Sequence, residues 1–502
     1  MKIILISLIF FQFFYFTLSN QIKTFYANIF DKTPKDKRID YSKSLYYQYL
    51  YLNSTIPPNT TLFKISKQRI FTSCISFPYK EIIGQTISTY FKEKEIIHSE
   101  IFSEALIFSY QLLYYKYADL DIIKSIFEKD NDIYQYHLNS DLSEYLQIIH
   151  LRSKNIFYYD SKNETLNVYF KLYNLENQAY KIPSEVFDYV LSYIKEKSNE
   201  KARGNILKFI EEKKDEFIKL YLYIIRNSIP FSYETFIKVY KYPITLNPIQ
   251  MMVKHCMLLS PMTDLLNTEI NKENKTYSFQ LYPFTDNNTN ITSFLFFTKK
   301  EIEKGEINKY TLLSNEQAFF EYGKEYAFGT ELFIKKITIT INKDLFEKGG
   351  KDNKHSAICS MTNICNSLFV TKNYYKGEYI LMSKDLNPFL MNLGRLINLK
   401  EEEITDVELF ANQMMQGRPI NNENELKMYA WYSNLMKQEL DKITNLFEED
   451  ENAEEVDDFE IESLWKMGYL NYKVLSNNYE MTLFSIEKLL EKESWVARKL
   501  FE

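Results

Sequence analysis

Only two glycines, Gly84 and Gly204, occur in the first 300 residues of this 502-residue chain. Glycine is the residue that lets a backbone turn with positive φ and come close to a phosphate. No G-x-G-x-x-G and no G-x-x-x-x-G-K-[ST] can be assembled, so a dinucleotide-binding Rossmann loop and a P-loop both lack their scaffold. The G-x-S-x-G elbow and the H-E-x-x-H zinc motif are missing as well. The five histidines, His98, His137, His150, His255 and His355, have no metal-ligand neighbour at helical spacing. His255 and Cys256 are adjacent, and adjacent side chains on a strand or helix point apart, which argues against a Cys-His nucleophile there.

Hydrophobic residues make up 45% of the chain and aromatics 16%, enough for a large core in two or three domains. The net charge of −6 is spread over both signs, and no basic patch favours nucleic acid as a partner. At the N-terminus, Lys2 precedes an apolar run from Ile3 to Leu18, with a small-x-small site at Thr17-Leu18-Ser19. That pattern reads as a secretory signal peptide over 1–19 and directs the chain to the secretory pathway or the extracellular space. An uncleaved signal anchor in the membrane is the other reading; otherwise no integral membrane contact is expected. The four cysteines, Cys74, Cys256, Cys359 and Cys365, contain no CxxC pair, which argues against a four-cysteine zinc site. Cys359 and Cys365 are close enough for a local disulfide if the chain is lumenal; four unpaired buried thiols is the alternative. Asn-x-Ser/Thr sequences occur at Asn53, Asn59, Asn163, Asn274, Asn287 and Asn290, a number that an Asn-rich chain also reaches by chance.

Hydrophobic spacing predicts a mixed α/β N-terminal part interrupted by helices, then a mainly helical C-terminal part. TLFKIS (61–66), SFQLYPF (278–284), SFLFFTKK (293–300) and FIKKITITI (333–341) read as strands, and LNVYFKLYN (166–174) alternates like one. HSEIFSEALIFSYQLL reads as a helix, Pro183-Ser184-Glu185 as a helix start, and ARGNILKFIEEKKDEFIKLYLYIIRNSIP as a helix running to Pro230. After about residue 380, NPFLMNLGRLINL, EITDVELFANQMM and ENELKMYAWYSNLMKQELDKITNLF are amphipathic. The acidic run at 448–462 reads as a solvated loop or helix start. Ser314 and Gln317 have capping-box spacing, with Gly323 suited to end the helix they open.

Two segments carry chemistry when taken together. Asp264-Leu265-Leu266-Asn267 lies about forty residues before Tyr310 of KKEIEKGEINKYTLLSNEQAFFEYG (299–323). They resemble the D-x-x-N-H segment and the "GEqI…YGxxSN" pattern of SET-domain protein methyltransferases, in the class of the Rubisco large-subunit methyltransferase and the actin-histidine methyltransferase. STIPPNTTLFKIS (54–66), FSYETFIKVYKYPITL (231–246) and NPFLMNLGRLINLKEEEI (387–404) resemble further parts of that class, in order, over about residues 40 to 495.

The resemblance implies an α+β fold: a SET-type arrangement of short β-sheets with a helical insertion, followed by an all-α C-terminal domain. It divides the chain into an N-terminal SET part at 20–95, a helical insertion at 96–230, a second SET part at 231–342 and a helical substrate-binding-like domain at 343–502. It implies S-adenosylmethionine as cofactor, with Asn267, Thr268 and Asp264 in its binding site and Tyr310 as the catalytic residue orienting the methyl group. The class's two segments pack as a threaded crossing, which would bring Asn267 and Tyr310 to one site. The expected activity is methyl transfer to a lysine, or to a histidine, of a protein substrate. A second reading also stands: a SET-fold protein without activity, whose C-terminal helical domain binds a protein partner.

Overall fold

The computed structural model describes residues 22–40, 43–44, 50–75, 77, 79–96, 100–117, 140–154, 156, 168–171, 175, 177–197, 200–240, 255–270, 279–285, 292–306, 308–311, 314–322, 333–348, 350–362, 364–371, 373–443 and 459–501. The signal segment at 1–19, Tyr47-Gln48-Tyr49, Gly323 and most of the acidic run at 448–462 lie outside them. Among the described residues, no helix is long and apolar enough to cross a membrane. The chain divides into two compact units, Met1–Tyr159 with Ala179–Thr311, and Asp160–Gln178 with Leu312–Glu502.

In the first unit, small sheets are built from strands distant in sequence. Helix α1 (22–32) is followed by β1 (Tyr51–Leu52), β2 (Thr61–Ser66) and β3 (Phe71–Thr72). Helices α2 (Lys80–Glu93), α3 (Glu100–Tyr117), α4 (Ser140–Lys154), α5 (Gln178–Lys197), α6 (Glu200–Ile210) and α7 (Lys214–Asn227) come next. Then β4 (Ile229–Ser232), α8 (Tyr233–Tyr240), β5 (His255–Leu259), β6 (Asn267–Ile270), β7 (Phe279–Thr285), β8 (Thr292–Thr298), β9 (Gly305–Glu306) and β10 (Asn308–Thr311) complete it. The sheets are ordered β3-β5-β4, β2-β8-β7, β1-β9 and β10-β6, and only the last pairs in parallel. Cys74 and Cys256 form a disulfide that ties the segment after β3 to β5, with Cα atoms 5.4 Å apart.

Three helices of this unit, α3, α4 and α7, meet at one carboxylate. Glu216 on α7 accepts hydrogen bonds from Lys116 and Tyr117 at the end of α3 and from His150 on α4. Burial raises the Glu216 pKa, but those three bonds outweigh it and hold the value at about 2. Two helical expectations are amended here. The run expected to be one helix up to Pro230 is two, because Glu212 takes φ 59° and breaks it between α6 and α7. Pro183 does not open its helix: α5 begins at Gln178 and carries Pro183 inside, at the cost of one backbone hydrogen bond.

The second unit pairs a sheet with helices. It contains α9 (Asn315–Tyr322), β11 (Ile334–Asn342), α10 (Lys354–Thr362), β12 (Leu368–Val370), β13 (Tyr374–Met382), α11 (Pro388–Ile397), α12 (Val407–Met415), α13 (Asn422–Asp441) and α14 (Phe459–Phe501). The α+β class holds, but the region after 342 is not free of strands: β12 and β13 join β11 in an antiparallel sheet ordered β11-β13-β12. The alternating Ile337, Ile339 and Ile341 bury one face of β11 in a core cluster that also includes Leu390, Leu393 and Leu396 of α11. LNVYFKLYN, expected as a strand, has a helical turn at 168–171, where Phe170 is buried with its ring edge-on to Phe320. Cys359 and Cys365 pair, so every cysteine of the chain is in a disulfide.

Helix α11 is specified locally and then pinned. Asn387 caps it by accepting the Leu390 N–H at 2.9 Å, and Pro388 occupies the first turn. Gly394 lets α13 approach, since a Cβ there would meet Trp431 at 2.8 Å and Met428 at 2.9 Å. Arg395 then reaches Glu425 with two parallel bonds of 2.7 and 2.6 Å, both side chains less than a tenth exposed. Glu425→Ala removes the counter-charge of that buried guanidinium, leaving it the Asn392 side chain at 2.7 Å, and is expected to cost about 3–5 kcal/mol. All three tryptophans, Trp431, Trp465 and Trp495, belong to this unit, so tryptophan fluorescence during urea unfolding measures the loss. An unchanged midpoint would mean the pair contributes nothing.

Candidate functional site

The predicted site begins with a tight buried turn after β5. Ser260 N donates to Thr263 Oγ1 at 2.9 Å, while Thr263 N and Asp264 N both donate to the Ser260 carbonyl, at 3.1 and 3.2 Å. Residues 260–266 are all buried. A 3-10 turn over Thr263–Leu265 gives way to extended backbone at Leu266, with ψ 124°, and this starts β6 at Asn267. Small hydroxyl residues close this turn on themselves, so it needs no glycine.

Asp264 is held from three helices. Its Oδ2 accepts hydrogen bonds from Tyr26 (α1) at 2.6 Å, Tyr223 (α7) at 2.8 Å and Tyr145 (α4) at 3.1 Å. Arg152 of α4 lies 3.4 Å from the same oxygen and donates to the Tyr26 hydroxyl at 2.5 Å. The Arg152 guanidinium also sits 5.5 Å from the Tyr26 ring centre and 5.8 Å from that of Tyr223. Asp264 is only 2% exposed. Burial pushes its pKa up, against the opposing pull of Arg152 and the three phenols. Burial, with the carboxylate adding to it, holds all three phenols well above the ordinary tyrosine range, so they stay protonated donors. Asp264 Oδ1 has no hydrogen-bond partner among the described residues.

The turn delivers β6 to a neighbour from the second predicted segment. β6 and β10 pair in parallel, with Asn267 opposite Asn308, Thr268 opposite Lys309 and Tyr310 opposite Glu269. Asn267 and Tyr310 therefore lie on adjacent strands, two ladder positions apart. A third segment closes on both. Leu50 N donates to the Leu265 carbonyl at 2.7 Å, and the following β1 pairs with β9, Tyr51 opposite Glu306 and Leu52 opposite Gly305. Gly305 has φ 136°, a conformation that needs glycine and sets the turn into β9 and β10.

Ser314 and Asn315, also part of the predicted pattern, are cap and tie in the second unit. Ser314 Oγ accepts the Gln317 N–H at 3.1 Å to cap α9, and Asn315 Oδ1 accepts the N–H of Ile334 at the head of β11. Gln317 completes only half of a capping box, because its amide turns to Glu321 at 3.0 Å. Sequence reasoning missed Tyr26, Tyr145, Arg152 and Tyr223. Nothing marks three tyrosines among 41, and the network exists only once three helices converge.

The arrangement gathers three segments at one point without a metal-ligand cluster among the described residues.

No protein-family model matches the chain, and no curated protein matches its sequence. Solved structures are similar to it. The crystal structure of the SET domain of LSMT bound to MeLysine and AdoHcy aligns over 93% of this chain and 93% of that one, at 12% identity and a TM-score of 0.45. The structure of Rubisco LSMT bound to AdoMet aligns over 88% of this chain and 86% of that one, at 13% identity and a TM-score of 0.41. Rubisco LSMT bound to Sinefungin and Monomethyllysine aligns over the same shares, at 13% identity and a TM-score of 0.40.

Proposed function

We propose that the chain is a SET-type protein methyltransferase that transfers a methyl group from S-adenosylmethionine to a lysine, or a histidine, of a protein substrate. The observation that supports this most is the parallel pairing of β6 with β10, which makes neighbours of the Asp264–Asn267 and Tyr310 segments. Asn267 and Thr268 would hold the cofactor, and Tyr310 would orient the methyl group. Asp264, engaged by three phenols, would act by setting the course of β6.

When bound, S-adenosylmethionine would supply an electrophilic methyl group together with its leaving group, and the target nitrogen would have to give up a proton over the reaction. The lysine must be neutral to attack, and an apolar-aromatic channel lowers its pKa by desolvation. Tyr310 would fix the line of approach through its hydroxyl.

A second reading is a SET-fold protein without activity that binds a protein partner. Tyr47-Gln48-Tyr49 stands where the class has a glycine-rich loop, Thr268 where it has histidine, and Thr311 where it has glycine. Both disulfides suit an oxidising compartment, whereas S-adenosylmethionine is made in the cytosol. Strand β12 lies at a sheet edge with Phe369 and Val370 46% and 62% exposed, a surface to which a partner strand can add.

Titration with S-adenosylmethionine separates the two. At 100 times its dissociation constant, a bound cofactor raises stability by about 2.7 kcal/mol, read as a rise in melting temperature. No shift at millimolar cofactor would leave the binding protein.

A further inference from the structure

The loop from β1 to β2 carries two Asn-x-Ser/Thr sequences in the open, Asn53-Ser54-Thr55 and Asn59-Thr60-Thr61. Asn53, Thr55, Asn59 and Thr61 are all exposed. The loop is nevertheless firmly held. Asn53 N donates to the Arg38 carbonyl at 2.9 Å, and Asn59 N donates to the Thr298 carbonyl at 2.9 Å. Between them Ile56, wholly buried, exchanges two hydrogen bonds with Ile302, at 2.8 and 3.0 Å. The backbone is fixed while the two asparagines stand in water on either side of a buried isoleucine. Asn59 has φ 62°, which asparagine tolerates better than most residues. The other four such sequences, at Asn163, Asn274, Asn287 and Asn290, lie outside the described residues.

A second observation, independent of the loop, concerns the compartment. All four cysteines are paired, one bridge spanning 182 residues and the other 6. Disulfides persist where N-linked glycans are added, in the oxidising secretory pathway, and are rare in the cytosol.

We propose that Asn53 and Asn59 are N-glycosylation sites occupied in the mature protein. The side-chain amide nitrogen forms a bond to the anomeric carbon of a lipid-linked oligosaccharide. The bond from that carbon to the diphosphate oxygen breaks, the polyprenyl diphosphate leaves with the electron pair, and the amide loses one proton. Transfer precedes folding, so the folded protein has only to leave room for the glycan, and an exposed asparagine on a pinned loop does so. The inference does not depend on the methyltransferase reading.

The test uses the full chain produced in a eukaryotic secretory host. Peptide-N-glycosidase digestion in heavy-oxygen water should convert residues 53 and 59 to labelled aspartate, read by peptide mass mapping. Asn53→Gln should remove one mobility step on a gel. For the second site Thr61→Val is the better variant, because it removes the hydroxyl, keeps a β-branched residue in β2 and leaves Asn59 in its left-handed turn. The double variant should lose two steps while a non-reducing peptide map still finds both disulfides. Bare asparagines at 53 and 59 in a disulfide-paired chain would overturn the proposal. So would glycans confined to the other four sequences, or a chain that accumulates with free thiols and both sites unmodified.

Discussion

Tyr310→Phe is expected to lower methyl transfer by about a hundredfold or more while S-adenosylmethionine affinity stays within about tenfold. The change removes one hydroxyl and leaves the ring. A single hydrogen bond contributes about 0.5–1.5 kcal/mol to binding, which bounds the affinity change at roughly tenfold. Misplacing a reacting group by about 1 Å can cost about a hundredfold in rate, which sets the scale of the catalytic loss. The measurement supplies a radiolabelled methyl donor and a pool of acceptor proteins, then hydrolyses the products to separate methyllysine from methylhistidine. Equal turnover by the variant would remove Tyr310 from its role. A wild-type protein that binds the donor yet transfers nothing would favour the binding-module reading, with the cofactor site retained as a relic.

Asp264→Ala should be among the most damaging substitutions in the first unit, costing about 3–5 kcal/mol. The carboxylate is the common acceptor of Tyr26, Tyr145 and Tyr223 and lies 3.4 Å from Arg152. Removing it leaves three phenols without their acceptor and a guanidinium without its counter-charge. Breaking a buried charged network is expensive because the surviving partners stay desolvated. Asp264→Asn keeps the shape and one acceptor oxygen and loses the charge, so its cost should be smaller. Far-UV circular dichroism during denaturation gives the size of the effect. Hydrogen exchange gives its location, since the amides of 263–270 should lose protection first. Wild-type protection at those amides in the alanine variant would mean that the cage does not hold β6. If it does, cofactor binding should weaken in parallel, although Asp264 has its Oδ2 turned to phenols.

Much of the architecture was readable from local pattern. The alternation in FIKKITITI became β11, TLFKIS became β2, and the amphipathic NPFLMNLGRLINL became α11, because each rests on neighbours within a few residues. Each failure has a physical cause. LNVYFKLYN alternates, yet Phe170 is buried beside Phe320 in a helical turn, and tertiary packing overrides a period of two. The helical run before Pro230 breaks at Glu212 through a positive φ on a residue that gives no such signal. Strands β12 and β13 went unread because Gly377 interrupts the pattern and only three residues separate the two strands.

The sequence alone determined what this protein cannot be. With two glycines in its first 300 residues and no glycine-rich motif anywhere, it lacks the turn that cradles a phosphate on a P-loop or in a Rossmann fold, since no other residue reaches those backbone conformations cheaply. It also singled out, by resemblance to one family, the two segments around Asn267 and around Tyr310. Only the tertiary structure decided that they are adjacent parallel strands, that Asp264 is gripped by three helices, and that Cys74 finds Cys256 across 182 residues. Parallel pairing and long-range bridges depend on how separate elements pack, and no local periodicity encodes which distant partner a strand or a cysteine will meet.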